Sequence, residues 1–395
     1  MLRMYFFSGT GNARNVARWM VDAWRRRGQD AEAFDLGKPG GPLVDIGPDD
    51  VVGLASPTHG FNFPPITLAF LFAFPRAPRR NRVLILNTRA GLRLFGLCLP
   101  GLSGVAQLLA ALVFLLKGYR VVGMRPIDLP SNWISIHPGL REDNVRILHE
   151  RCEAVTRRFA DRLLDGRRDY RALFDLIQDL LIAPIALGYY FAGRFLFAKS
   201  FIASRDCDAC GVCVQQCPLE AVRLVDGRPF WSWRCESCMH CMNRCPRRAI
   251  ETGHGFLAVS LALLYVALAV LVYPALRPVV PVLADEGFAG QALRFVLENV
   301  LMLSSVFLGY RLLHSAMRFR VVERLATLTS LTHFAFWRRY RAPRAPTPGP
   351  VACDEVVAEP GGPDPGHVPV GQALHGGNFQ NLNDSPRDEY SLPLP

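Results

Sequence analysis

The chain is nearly without lysine. Lys38, Lys117 and Lys199 are its only lysines, although Lys and Arg together number 45 in 395 residues. The formal net charge of +11 is therefore carried by arginine. No basic-aromatic stripe or helix-turn-helix pattern accompanies that charge, so nucleic acid is not an expected partner and an anionic membrane surface is. The N-terminal run is not expected to act as a cleavable leader. The opening MLRMYFFSGTGN has too short an apolar run and leads straight into a glycine loop, which places the N-terminal part on the cytoplasmic side. No Gly-Lys-Ser/Thr follows that loop, and Arg14 stands where a dinucleotide fingerprint needs its third glycine. A Walker A site and a nicotinamide site are thereby excluded. The cysteines do not form a disulfide framework either, because eight of the 11 fall between residues 207 and 245 in two matching runs.

Those runs carry the strongest chemical signal. The first is Cys207, Cys210, Cys213 and Cys217, followed by Pro218. The second is Cys235, Cys238, Cys241 and Cys245, followed by Pro246. In this spacing each loop of three cysteines wraps one [4Fe–4S] cubane, and the fourth cysteine ligates the other cubane. Zinc sites separate their CxxC pairs and fit poorly. The expected first cluster uses Cys207, Cys210, Cys213 and Cys245, and the second uses Cys235, Cys238, Cys241 and Cys217. Residues 206–252 resemble bacterial ferredoxins with two [4Fe–4S] clusters. The spacer 218–234, with Phe230, Trp231 and Trp233, is expected to form a hairpin. Cys98, Cys152 and Cys353 lie outside the pattern and receive no role.

The rest of the chain divides by composition. Residues 1–165 alternate strand-like runs (2–7, 31–36, 51–56, 83–88 and 121–129) with helical patterns (13–27, 103–117 and 141–164), implying an α/β doubly wound parallel sheet. Residues 94–116 have no charged side chain over 23 positions. Gly96, Pro100, Gly101 and Gly104 break their first half, so the stretch is expected as a buried helix rather than a span. Residues 166–203 read as an apolar connector and 204–252 as the ferredoxin domain. Residues 255–314 read as two transmembrane helices, with apolar cores at 256–276 and 292–310. Arg247 and Arg248 precede them, and Arg311, Arg318, Arg320, Arg324, Arg338, Arg339 and Arg341 follow, which puts both ends of the hairpin in the cytoplasm of a multi-pass cell (inner) membrane protein. Residues 315–341 form a basic juxtamembrane segment. The tail 342–395, with 11 prolines, is expected to be disordered. His254 and His314 mark the cytoplasmic ends of the spans. Haem or quinone binding there stands beside the plainer reading as interfacial histidines, and neither residue is assigned a ligand.

The loop Ser8-Gly9-Thr10-Gly11-Asn12-Ala13 joins a strand to a helix, where backbone N–H groups cradle phosphate. Ser8, Thr10, Gly11 and Asn12 match the loop that holds the FMN phosphate in flavodoxins, and Ala13 replaces the last hydroxyl. The resemblance implies two further flavin loops, at Ser56, Pro57, Thr58, His59, Gly60 and Phe61 and at Thr88, Arg89, Ala90 and Gly91. These loops lack the usual tryptophan–tyrosine pair, with Phe61 as the substitute. A flavodoxin-like domain followed by a two-cluster ferredoxin resembles a family of flavodoxin–ferredoxin fusion proteins, and Pro130-Ser131-Asn132 matches a Pro-x-Asn segment of that family. The resemblance covers about residues 1–252 and implies a relay between FMN and two [4Fe–4S] clusters, working with a redox protein partner; the membrane hairpin departs from the family's usual soluble form and would anchor that relay. A flavin-dependent reductase of a small molecule, and an iron–sulfur sensor or scaffold without FMN, stand as alternatives.

Overall fold

The structure is a computed structural model that describes residues 1–38, 45–340 and 342–343. The N-terminal sheet contains β1 (Leu2–Phe6), β2 (Ala31–Asp35), β3 (Val51–Pro57), β4 (Arg82–Leu94), β5 (Leu97–Leu99) and β6 (Arg120–Pro130). Its parallel strands run in the order β2-β1-β3-β4-β6, the order of the flavodoxin-like doubly wound fold. Helices α1 (Asn12–Arg26) and α4 (Glu142–Leu164) cover one face, and α2 (Pro65–Ala73) and α3 (Ala106–Leu116) cover the other. Strand alternation sorts the side chains between two cores. Leu2, Met4 and Phe6 pack under α1, while Tyr5 and Phe7 pack under α2 and α3.

The five strands expected from the sequence are present within a residue or two, except that β4 continues to Leu94. That extension turns at Phe95-Gly96, both at positive φ, and pairs back antiparallel as β5. The first half of the uncharged run 94–116 is thus a hairpin, and only its second half is the buried-face helix α3. The helix α2 had no periodic signal to reveal it, being apolar all round.

One buried histidine ties this domain together. His149 donates from Nε2 to the Tyr340 hydroxyl (2.8 Å), and that hydroxyl donates to Asn12 Oδ1. Burial lowers His149 to about 4. The unfolded chain therefore takes up a proton below about pH 6.5 that the folded chain refuses. Stability from this group is intact above the unfolded value and is lost as pH falls toward 4, about 2 kcal/mol of it by pH 5. Urea denaturation of the wild type and of His149→Gln at pH 7.5 and pH 5 checks this. The wild type should lose about 2 kcal/mol more than the variant over that interval.

The ferredoxin part is built on two small antiparallel pairs. Strands β7 (Phe201–Ala203) and β10 (Ile250–Thr252) pair with each other. Strands β8 (Val222–Val225) and β9 (Arg228–Trp231) form the hairpin expected in the spacer, closed by Asp226-Gly227 at positive φ. Two helices, His254–Leu276 and Phe288–Ala316, are long and apolar enough to cross a membrane, and only 6% of each apolar window is buried inside the protein. Pro274 cannot donate to the preceding turn, and the first helix carries a π-type stretch at Leu268–Val272.

The apolar connector is helical. Arg171–Leu181 and Ala183–Ala198 are apolar helices bent by 73°, which together also meet the criteria for a span. Phe174, Ile177, Leu181 and Leu187 point outward, while the inward Asp175 pairs with Arg89. Both expected interfacial histidines have structural work. His254 Nε2 donates to Ser135 O, and its Nδ1 accepts from Leu331 N–H, so neither nitrogen is open to a metal. His314 instead packs against the rings of Phe230 and Tyr310. The basic segment 315–341 folds back, with Glu323 holding Arg205 and Arg339 holding Glu251. The tail expected to be disordered lies, from residue 344, outside the described residues.

Candidate functional site

A cavity of about 500 Å³ opens at the carboxyl ends of the parallel strands, the place where doubly wound folds bind ligands. Its wall comes from the three loops that the sequence singled out. Ser8, Gly9, Thr10, Asn12 and Ala13 line one side, Pro57, Thr58, Gly60 and Phe61 a second, and Thr88, Arg89 and Ala90 a third. Gly11, at φ 107°, turns the chain into α1, and no acidic residue occupies the first turn of that helix to repel an anion. The Ser8 hydroxyl accepts the Gly11 N–H, which fixes the loop. Asn12 has no side-chain atom to spare, since its amide donates to Pro130 O and its oxygen accepts from Tyr340. It braces α1 against β6 and offers the cavity only its backbone.

Four other expected contacts lie behind the cavity wall. Ser56 shares a hydrogen bond with Thr67, Gly91 is seated against the Asp128 backbone, and Gly11 faces Ala342. His59 is fully buried, stacks on Trp133 and is lowered to about 4 by burial, so it is neutral and away from the opening. In exchange, the segment after β6 contributes residues that sequence reasoning left out of the site. Asn132 donates to the Thr10 hydroxyl (2.8 Å), and His137 bonds the Ser131 hydroxyl (2.6 Å). Trp133 supplies the missing aromatic ring. The Pro-x-Asn match at Pro130-Ser131-Asn132 was the available signal for this segment.

The eight cysteines gather in two groups of four, crossed between the runs. Cys207, Cys210, Cys213 and Cys245 surround one small cavity. Cys217 lies with Cys235, Cys238 and Cys241, and Cys213 and Cys241 influence each other across the groups. The two runs also share a backbone. Positive φ recurs at Ala209 and Ser237, at Gly211 and Met239, and at Glu220 and Arg248, which are equivalent positions two and four residues after the first cysteine and three after the last. Such conformations turn successive N–H groups toward one anionic centre. The N–H of Ala221 donates to Cys217 Sγ and that of Ala249 to Cys245 Sγ, both at 3.3 Å. Only the second run has an indole donor, from Trp231 Nε1 to Cys241 Sγ (3.4 Å).

Among the described residues no three His, Cys, Asp or Glu side chains converge as ligands of a single ion do. Thiolates spread around a cavity suit a cubane, in which each cysteine takes its own iron. Burial pushes Cys213 up to about 11 and Cys235 up to about 12, so an iron cluster held there would have to supply the positive charge that favours the thiolate form. The groups differ in exposure. Cys210 is exposed, whereas Cys235, Cys238 and Cys241 are buried.

The cavity and the second group touch. A Cβ on Gly9 would lie 2.1 Å from the Cys238 carbonyl oxygen, so the two backbones are in direct contact. His240 Nδ1 donates to Gly9 O at 2.9 Å, and Trp133 Nε1 donates to Ser237 O at 3.2 Å. On its other side the same group meets the apolar helix Phe288–Ala316, where the Tyr310 hydroxyl accepts the Trp231 N–H (3.2 Å).

A family model described as "4Fe-4S dicluster domain" matches residues 206–250. No curated protein matches the sequence. Among solved structures, the chain is similar to oxidised flavodoxin 1 from Bacillus cereus, at 15% identity over 39% of this chain and 96% of that one, with a TM-score of 0.26. It is also similar to rubredoxin oxygen:oxidoreductase from Desulfovibrio gigas, at 14% identity over 41% of this chain and 36% of that one, with a TM-score of 0.28. The flavodiiron protein from Giardia intestinalis gives 12% identity, 42% and 36% coverage and a TM-score of 0.26. The chain spans about a third of the length of the latter two. Residues 206–250 are a 4Fe–4S domain beside a flavodoxin-like sheet, and this pairing supports a redox role in electron transfer.

Proposed function

We propose that the chain is a membrane-anchored electron relay with FMN in the strand-end cavity and two [4Fe–4S] clusters on the crossed cysteine groups. The observation that carries this reading is the contact of the Gly9 loop with the Cys238 loop, sealed by His240. FMN exchanges electrons one or two at a time and each cubane takes one, so together they connect a two-electron donor to a one-electron acceptor. The chain's own residues set the order. The Ser8–Asn12 backbone and Asn132 hold the phosphate end, while Phe61 and Trp133 present rings to the flavin. Trp133 and His240 fix that cavity against the buried second group. The first group, with Cys210 exposed, is the outlet to a redox protein partner. The helices His254–Leu276 and Phe288–Ala316 anchor the relay in the cell membrane, with the redox domains on the cytoplasmic side.

The test is anaerobic purification of the full chain. About eight irons per chain, the broad iron–sulfur absorbance and one heat-released FMN are expected. Iron without flavin would sink the relay and favour a sensor or scaffold.

A further inference from the structure

A second cavity of about 530 Å³ is lined by Met242 and Asn243 of the helix His240–Arg244. Cys241 lies in that helix and Cys245 follows its last residue, with Asn243 midway between them. Asn243 is only 9% exposed and lines this cavity, yet neither atom of its amide has a partner among the described residues. Arg339 lines it too. Its Nη2 holds Glu251 Oε1 at 2.8 Å, while its buried Nη1 has no partner among the described residues. Arg248 and Arg146 complete the polar wall, opposed at the rim by Glu142. Arg146 is exposed and shared with Asp143 and Glu150. Burial and the nearby Arg248 charge both lower Arg339. Leu140, Val145 and Met242 form the apolar wall.

An unpaired buried amide costs about 1–3 kcal/mol unless something bonds to it. Two guanidiniums facing one space repel until an anion lies between them. Guanidinium forks match phosphate oxygens in pairs, and an amide adds one donor and one acceptor. We infer that this cavity binds a small phosphorylated organic molecule, its phosphate on Arg248 and Arg339, its hydroxyl groups on Asn243, and its carbon skeleton on Leu140 and Met242. Asn243 stands on the helix that ligates both cysteine groups, so the bound negative charge disfavours the added electron and lowers the cluster potentials. That consequence rests on the cluster reading, whereas the site itself does not.

The test uses the full chain in detergent under anaerobic conditions, titrated calorimetrically with ribose 5-phosphate and with inorganic pyrophosphate. Saturable binding is expected, weakened at least roughly tenfold in Arg248→Gln, which removes a charged hydrogen bond from an exposed position. Arg146→Gln, on an exposed turn of α4 and already shared with Asp143 and Glu150, should weaken it less. Redox titration should show a lower cluster midpoint at saturation. No saturable heat with either compound, or identical binding in Arg248→Gln, would overturn the site. Binding without a change in midpoint would overturn its link to the clusters. Binding to protein that lacks the iron–sulfur absorbance would leave the site standing and count against the relay instead.

Discussion

Cys245→Ser is expected to remove the cluster of the other cysteine run and to spare the one beside it. Cys245 lies with Cys207, Cys210 and Cys213 around one cavity, and it is the only ligand of that group from the second run. Iron should fall from about eight to about four per chain. The surviving cluster is the buried one, on Cys235, Cys238, Cys241 and Cys217. Cys217→Ser does the reverse and leaves the cluster that includes the exposed Cys210. The two variants can therefore be told apart by a chelator. Iron should be stripped faster from Cys217→Ser, because its surviving site is open to solvent. If each variant lost the cluster of its own run, with the opposite order of chelator sensitivity, the crossed arrangement would be wrong.

Gly9→Ala is expected to slow electron transfer between the strand-end cavity and the second cysteine group while leaving both cofactors bound. Gly9 has ordinary negative-φ geometry, so alanine meets no backbone strain there. The obstacle is steric. The added Cβ would fall 2.1 Å from the Cys238 carbonyl oxygen and 3.0 Å from the Cys238 Cβ, and backbone cannot rotate aside as a side chain does. The two loops must separate, at a cost of about 1–3 kcal/mol, and the His240 hydrogen bond to Gly9 O is lost with them. Denaturation midpoints measure the cost, and single-turnover kinetics measure the slowed transfer. Unchanged stability together with unchanged transfer would mean that the loops do not meet as described.

Sequence patterns specified the modules well because each rests on local physics. Alternating apolar strands and amphipathic α1 and α4 place the sheet, and CxxCxxCxxxCP spacing leaves few alternatives to a cluster ligand set. The Asp226-Gly227 turn was legible for the same reason, as its residues tolerate positive φ. What escaped was set by contacts between distant segments. Trp133 became an aromatic wall of the cavity only because β6 ends there, and its indole reaches Ser237, 104 residues later. Asn12 matched a phosphate loop by type, but Tyr340 and Pro130 claim its side chain. His59 looked like a loop histidine and is a buried packing group. The connector hid two apolar helices because Asp175 and Asp179 interrupt its hydropathy, and their inward direction appears only once Arg89 is placed beside Asp175. Asn243, inside the cysteine run, carried no separate signal at all.

The central claim is that the flavodoxin-like cavity and the buried cysteine group exchange electrons within one chain. Its most direct test is to photoreduce the flavin of the anaerobic full-length protein and follow bleaching of the iron–sulfur absorbance. The relay predicts a single first-order phase whose rate does not change when the protein is diluted tenfold, and which slows in Gly9→Ala. A rate proportional to protein concentration, or clusters that stay oxidised while the flavin is reduced, would contradict it.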